Sequence, residues 1–236
     1  MIGVYDYTVI LTYLSIISGV VGIIVTMTGT GHPYFGTLFL MISGILDAFD
    51  GRVARTKKNR SDFERKFGVQ IDSLSDLICF GVLPAAIGLA LLRVSGIFTE
   101  IVRRKDYEGS IWMVIILLAI AVFYILAALI RLAYFNSTEE VRKAEAEKTG
   151  VEYFAGLPVT TAALVFPLTL IIHYYTSANL TFFYFFMMLF VAILFIWNIR
   201  VRKPGKTGLI IMIIIGTIEF VATILIFSSD KYVLFK

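Results

Sequence analysis

Apolar residues run along this chain in blocks too long for the core of a small soluble domain. A helix needs about 20 apolar residues, within a range of about 17 to 25, to cross the hydrocarbon layer of a membrane. Seven stretches approach or meet that length: 7–28, 34–50, 69–92, 111–135, 158–176, 180–199 and 208–227. Lipid offers the backbone no hydrogen-bond partners, so each stretch is predicted to be helical; a membrane barrel would instead alternate in segments of about ten residues. The expected fold is an all-α, polytopic transmembrane bundle of about seven helices (six to eight), forming one integral membrane domain over residues 1–236 with a polar cavity facing the cytoplasm.

Composition agrees with the pattern. Hydrophobic residues make up 58% of the chain against 16% charged, and the mean hydropathy is +0.87, which excludes an ordinary soluble domain. The first apolar stretch has no small-residue cleavage site after it, so it is expected to stay, with the mature chain beginning at or near Met1. Cys79 is the lone cysteine, and neither a disulfide framework nor a cysteine metal cluster can be built from it.

The net charge of +4 does not indicate nucleic acid, because the cations are divided among short loops. Fifteen of the 21 Lys and Arg residues fall on one side of the predicted bundle, in 52–66, in 131–148 and in 200–206. By the positive-inside rule that side is cytoplasmic, which puts the N-terminus inside and, with seven helices, the C-terminus outside. Between the third and fourth spans, Ile97, Phe98, Ile101 and Val102 alternate with Glu100, Arg103 and Arg104 at helical spacing, as a short interfacial helix or an irregular linker would. Ser137-Thr-Glu-Glu140 fits a capping box opening a polar helix through about Lys148.

Acid inside apolar sequence is the feature that carries chemistry. Asp47 and Asp50 close the second span at its cytoplasmic end, and Asp72 and Asp76 open the third. At about 100° per residue the members of each pair lie about 60° and about 40° apart around their helices, so each pair presents one face. An ionised carboxylate costs about 2.5 to 3.5 kcal/mol at the bilayer centre, less near the interface, and four together repel one another. Divalent cations are the simplest compensation. Oxygen-only donors favour a hard ion, Mg²⁺ first, then Mn²⁺ or Ca²⁺, and four carboxylates can bridge two such ions in a phosphoryl-transfer site. Pairing with Arg52 and Arg55, or an ion pathway, is the alternative reading.

Asp47-Ala-Phe-Asp50-Gly51-Arg-Val-Ala54-Arg55 followed by Gly68-Val-Gln-Ile-Asp72-Ser-Leu-Ser-Asp76 resembles the defining motif of the CDP-alcohol phosphatidyltransferases, D-x2-D-G-x2-A-R…G-x3-D-x3-D. The resemblance implies that Asp47, Asp50, Asp72 and Asp76 hold two metals, with Asp76 also the base for the acceptor hydroxyl. It implies too that Gly51, Ala54, Arg55 and Gly68 line the CDP portion of a CDP-lipid. One departure stands out: twelve residues separate Arg55 from Gly68, where the family usually has about eight. Thr12, Ser15, Ser18 and Gly19 are similar to the family's polar stripe facing cytidine, and Thr12 and Ser15 are its candidate donor contacts; the same residue types also pack membrane helices.

Three further stretches look like the phosphatidylserine synthase branch: 73–84, Ala127-Ala-Leu-Ile-Arg131-Leu-Ala-Tyr-Phe-Asn136 and Phe154-Ala-Gly-Leu-Pro158. Arg131 lies at the depth of the acids, where a guanidinium can bind the carboxylate of L-serine bidentately, snorkel to headgroups or pair with an Asp. Asn136 would add a hydrogen bond to the acceptor. The activity so implied is transfer of a phosphatidyl-type group from CDP-diacylglycerol or CDP-archaeol to L-serine, releasing CMP, in a membrane-embedded protein that family precedent makes a homodimer. Glycerol phosphate and inositol phosphate are rival acceptors, and a divalent-cation transporter is the reading from a different class. Glu219, alone in the last span, is expected to need an inter-helix or dimer partner.

Overall fold

The computed structural model describes residues 2–28, 32–97, 107–149, 153–176, 181–202 and 206–229. All seven apolar stretches lie on helices: α1 (Ile10–Met27), α2 (Pro33–Ala54), α3 (Asp62–Asp76) with α4 (Leu83–Val94), α5 (Tyr107–Ser137), α7 (Ala162–Thr176), α8 (Thr181–Ile196) and α9 (Lys206–Ser229). The charged α6 (Glu139–Thr149) joins α5 to the second half of the chain. Four helical stretches, 10–27, 62–94, 111–137 and 159–176, are long and apolar enough to cross a membrane by themselves, and 181–196 and 211–226 are shorter apolar helices. The chain is an integral membrane protein with an all-helical bundle.

α1 shows how such a bundle is held. Its polar and small residues, Thr12, Ser15, Ser18, Gly19, Gly22 and Thr26, are buried, while Leu14, Ile17, Val20 and Ile24 are exposed. This is the reverse of a soluble amphipathic helix. Lipid is as apolar as leucine, so association relies on close backbone approach and interhelical hydrogen bonds rather than on the hydrophobic effect. Ser15 and Ser43 exchange bonds across the α1–α2 seam, Ser15 Oγ to the Ser43 carbonyl at 3.3 Å and Ser43 Oγ to the Ser15 carbonyl at 3.1 Å. Ser18 Oγ donates to the Phe39 carbonyl at 3.0 Å. A Cβ on Gly19 would stand 2.6 Å from Cys79 Sγ, so only glycine lets α1 approach the helix that carries the second acid pair.

α3 begins seven residues before the predicted span, at a capping box. Ser61 Oγ accepts the Glu64 N–H at 3.2 Å while the Glu64 carboxylate accepts the Ser61 N–H at 2.7 Å. α3 then runs directly into α4 through a π-helical turn, Leu77–Val82, immediately after Asp76. Pro84 accounts for part of this widening. It has no N–H to give the Phe80 carbonyl, and the hydroxyl of buried Tyr124 on α5 fills that acceptor at 2.6 Å. Tyr184 on α8 donates likewise to the Pro84 carbonyl at 2.9 Å. Two buried tyrosines therefore tie the acid-bearing helix to the rest of the core.

Two features differ from the sequence reading. Ser137 and Thr138 do not cap α6 forward; their hydroxyls donate back to carbonyls of α5, at Ala133 and Tyr134, because free acceptors at a helix end lie within reach of a preceding turn. A short antiparallel ribbon pairs β1 (Tyr153–Ala155) with β2 (Arg200–Arg202). It is followed by Gly156 at φ +76°, where a Cβ would stand 2.7 Å from the Phe195 carbonyl. The expected interfacial helix, apart from Ile97, lies outside the described residues.

Candidate active site

α2 and α3 form a hairpin whose loop carries Arg55, Lys57, Lys58 and Arg60, and the two acid pairs face each other where the hairpin opens. Carboxylate oxygens of Asp47, Asp50 and Asp72 all lie within 4.8 Å of one another. Asp76 is in side-chain contact with Asp47, and Asp72 with Asp50, so the fourth acid belongs to the same cluster. Asp50 is buried, the other three are half-buried, and the hydroxyl of Thr12 donates to Asp50 Oδ2 at 2.9 Å.

The donor set fits a hard divalent cation. Four carboxylates on two helices offer oxygen alone, they are withdrawn from water, and among the described residues no Lys or Arg ion pair with any of them is present. That arrangement answers the alternative in which Arg52 and Arg55 neutralise the acids.

A cleft of about 170 Å³ opens beside the acids. Asp50 and Asp72 form its floor, and its walls are lined by Gly51, Ala54, Arg55 and Gly68, the donor-contact candidates from the motif, together with Thr12 from the polar stripe of α1. Ser15 does not share their position. It lies one turn deeper in the α1–α2 seam, with its hydroxyl spent on Ser43 and 3.6 Å from Cys79 Sγ. Its helical spacing from Thr12 is real, but the neighbouring helix closes over it.

The cleft also has walls that spacing did not reveal. Arg60 and Arg65 line it from the loop and from the first turns of α3, and Thr8 and Val9 line it from the segment ahead of α1. Arg60 Nη2 donates to the Glu64 carbonyl at 3.2 Å and stands 2.7 Å from where a Gly68 Cβ would be, so glycine at 68 is what admits this guanidinium. The cleft thus sets three guanidinium groups, those of Arg55, Arg60 and Arg65, around an acid floor. This suits a ligand carrying several phosphate oxygens.

The acceptor candidates sit on the other flank. Arg131 is buried on α5, donates through Nε to the Leu157 carbonyl at 2.9 Å, and lies 4.8 Å from the centroid of the Phe135 ring. It is near enough to Asp76 to feel its charge. The Leu157 carbonyl is set in turn by the ribbon, since Leu157 N–H donates to the Leu194 carbonyl at 3.1 Å and Gly156 N–H to the Ile199 carbonyl at 2.8 Å. This gives the 154–158 stretch a physical task. Asn136 Nδ2 donates to Ser73 Oγ at 2.8 Å, which ties α5 to α3 between Asp72 and Asp76. Glu219 is 4% exposed, and neither of its carboxylate oxygens has a hydrogen-bond partner among the described residues.

A membrane bundle with paired acids on a helical hairpin beside a glycine- and arginine-lined cleft defines a class of lipid-group transferases. Residues 8–198 match the family model described as CDP-alcohol phosphatidyltransferase, and the chain belongs to that family. Among curated proteins it is similar to the CDP-diacylglycerol--serine O-phosphatidyltransferase of Saccharomyces cerevisiae, 34% identical over 161 residues, covering 66% of this chain and 50% of the relative. The enzyme of the same name from Helicobacter pylori is 30% identical over 165 residues, covering 68% and 57%. The archaetidylserine synthase of Methanothermobacter thermautotrophicus is 26% identical over 199 residues, covering 84% and 70%. The chain spans about half the length of the first of these relatives.

Proposed function

We propose that this chain transfers a phosphatidyl-type group from a CDP-lipid to the hydroxyl of L-serine and releases CMP, within one membrane domain covering residues 1–236. The observation that carries the reading is the convergence of Asp47, Asp50, Asp72 and Asp76 into one cluster, of which Asp50 and Asp72 line the cleft. Relatives named for serine as the acceptor support it.

Asp47, Asp50, Asp72 and Asp76 would hold two divalent cations, Mg²⁺ or Mn²⁺. Bound there, such ions neutralise a diphosphate and stabilise the charge that develops on the departing CMP. The remaining work falls to the chain itself. Gly51 and Gly68 let the diphosphate come close to the backbone, and Arg55 lies alongside to bind its oxygens. Thr12 fixes the orientation of Asp50. Asp76 takes the proton of the acceptor hydroxyl as that oxygen attacks phosphorus, and its effect comes from position, since an ordinary carboxylate is a weak base. Arg131, held by the Leu157 carbonyl, presents its guanidinium to the acceptor carboxylate, and Asn136 steadies α3 through Ser73.

The basic side of the bundle faces the cytoplasm in this reading, so water-soluble serine reaches the cleft from inside while the donor's tails stay in lipid. Either CDP-diacylglycerol or CDP-archaeol fits that geometry. The test is CMP release by purified protein given each donor, Mg²⁺ or Mn²⁺, and serine, glycerol phosphate or inositol phosphate in turn. Serine-dependent release is the expected result. Release with a phosphorylated alcohol and not with serine would overturn the choice of acceptor.

A further inference from the structure

The segment ahead of α1 would be expected to fray, yet it is folded on itself by Thr8 and Asp6 and tied to the body of the protein through Tyr13 and Lys57. Tyr13 Oη donates to the Val4 carbonyl at 2.8 Å. Thr8 gives both its N–H (2.9 Å) and its hydroxyl to Asp6 Oδ1. The other oxygen, Asp6 Oδ2, accepts from Lys57 Nζ at 2.6 Å. The same ammonium donates to Glu64 Oε1, also at 2.6 Å, while Glu64 Oε2 holds the N–H of the α3 cap residue, Ser61. Both carboxylates are thus used on both oxygens, one toward Lys57 and one toward a local turn.

Lys57 lies in the Arg55–Gly68 loop, where the chain exceeds the usual family spacing. It joins three separate pieces of chain: the N-terminal segment, the loop, and the first turn of α3. What it joins is next to the cleft. Thr8 and Val9 form one wall, Arg60 and Arg65 another, and Thr12, one turn after Val9, carries the bond to Asp50.

We propose that Lys57 is a positioning residue for donor binding: by clasping Asp6 and Glu64 together it holds the Thr8–Val9 wall against the arginine wall, so that the cleft is formed before the nucleotide end of a CDP-lipid arrives. This rests on the assignment of the cleft to a CDP-lipid. Two partly exposed ion pairs contribute little to global stability. Their effect here is local: among the described residues the other polar link from the 2–8 segment to the loop is the 3.5 Å bond from Thr56 Oγ1 to Tyr7 Oη, and it does not reach α3.

The clasp does not titrate at physiological pH. The Lys57 ammonium, helped by Thr8, holds the Asp6 carboxyl at about 2, and the carboxylates of Asp6 and Glu64 push the Lys57 ammonium up. Asp6 is lowered in the fold, so its contribution is complete above the ordinary carboxylate value of about 3.9 and is lost only as pH falls from there toward 2. Salt, which screens partly exposed charges, is the condition that loosens it.

The full chain in detergent or nanodiscs provides the test, through the Kd for CDP-diacylglycerol and CDP-archaeol without acceptor, the KM for serine, and amide hydrogen exchange of residues 4–9. Lys57→Met is expected to weaken donor binding by about fivefold, the scale of one modest ion-pair interaction, and to speed exchange in 4–9. The KM for serine should stay unchanged and Lys57→Arg should restore both donor readouts. Asp6→Asn supplies the same test from the other end of the clasp should Lys57→Met fold poorly. Unchanged donor Kd and unchanged exchange in both Lys57→Met and Asp6→Asn would overturn the proposal. A wild-type chain that binds neither CDP-lipid would instead strike the assignment of the cleft.

Discussion

Two acidic environments lie inside the same bundle and differ in number, partners and surroundings. The Asp47–Asp50–Asp72–Asp76 cluster brings four carboxylates together from two helices, is oriented by Thr12, and opens onto a cleft with arginines on its walls. Glu219 on α9 is more fully buried than any of them, yet neither of its carboxylate oxygens has a hydrogen-bond partner among the described residues, and Thr223 reaches its backbone carbonyl rather than its carboxylate. Burial makes a carboxylate costly in both places. Convergence and access to a cleft are what suit the first group to the proposed chemistry.

Removing members of the cluster should break the comparison most severely. Asp76→Asn is expected to reduce kcat by about 100-fold or more, within the usual range for loss of a general base. Chelation with EDTA should abolish turnover of the wild-type chain, with Mg²⁺ or Mn²⁺ restoring it. Near-normal turnover in Asp76→Asn would leave the proposed base without a role.

A smaller effect is expected on the acceptor flank. Arg131→Lys keeps the charge but loses the planar fork and the Nε bond to Leu157, and should raise the KM for serine by about 10- to 100-fold with the donor Kd unchanged. Equal losses for donor and acceptor would instead mean that Arg131 only supports the fold.

Tyr124→Phe sharpens the comparison in another way, because it leaves every acid in place and removes only the donor to the Phe80 carbonyl. Thermal or denaturant unfolding in detergent should show a loss of about 1 kcal/mol, since the π-helical turn after Asp76 would then contain an unsatisfied acceptor. Glu219→Gln should do least: activity within about twofold of wild type and stability within about 0.5 kcal/mol, because it trades one unpartnered group for another of the same shape. A large loss of activity there would mean that the lone acid is part of the chemistry.

Much of this could be read from the chain. The seven apolar blocks predicted the helices, and the spacing of Asp47, Asp50, Asp72 and Asp76 predicted two facing pairs, because helical period fixes which residues share a face. Period does not say what a face meets. Thr12, Ser15 and Ser18 lie on one stripe, yet Thr12 reaches Asp50 while Ser15 and Ser18 are absorbed by the backbone of α2. Asn136, at acceptor depth in sequence, turns to Ser73.

Other parts had signals that could have been used. Ser61-Asp-Phe-Glu64 is a capping-box pattern, and it marks the start of α3 well before the apolar run. Pro84 in the third span warned of an unpaired carbonyl one turn earlier, although not of the tyrosine that fills it. The pairing of Lys57 with Asp6, 51 residues away, and the ribbon that sets Leu157 had no local signature, since both depend on contacts between distant loops.

In the proposed mechanism the two acid pairs together hold the cations. Crystals grown or soaked with Mn²⁺ test it directly through anomalous scattering from the metal. Two manganese peaks between α2 and α3, each within ligand distance of carboxylates among Asp47, Asp50, Asp72 and Asp76, are the predicted result. Manganese bound elsewhere with none between these helices would contradict the account.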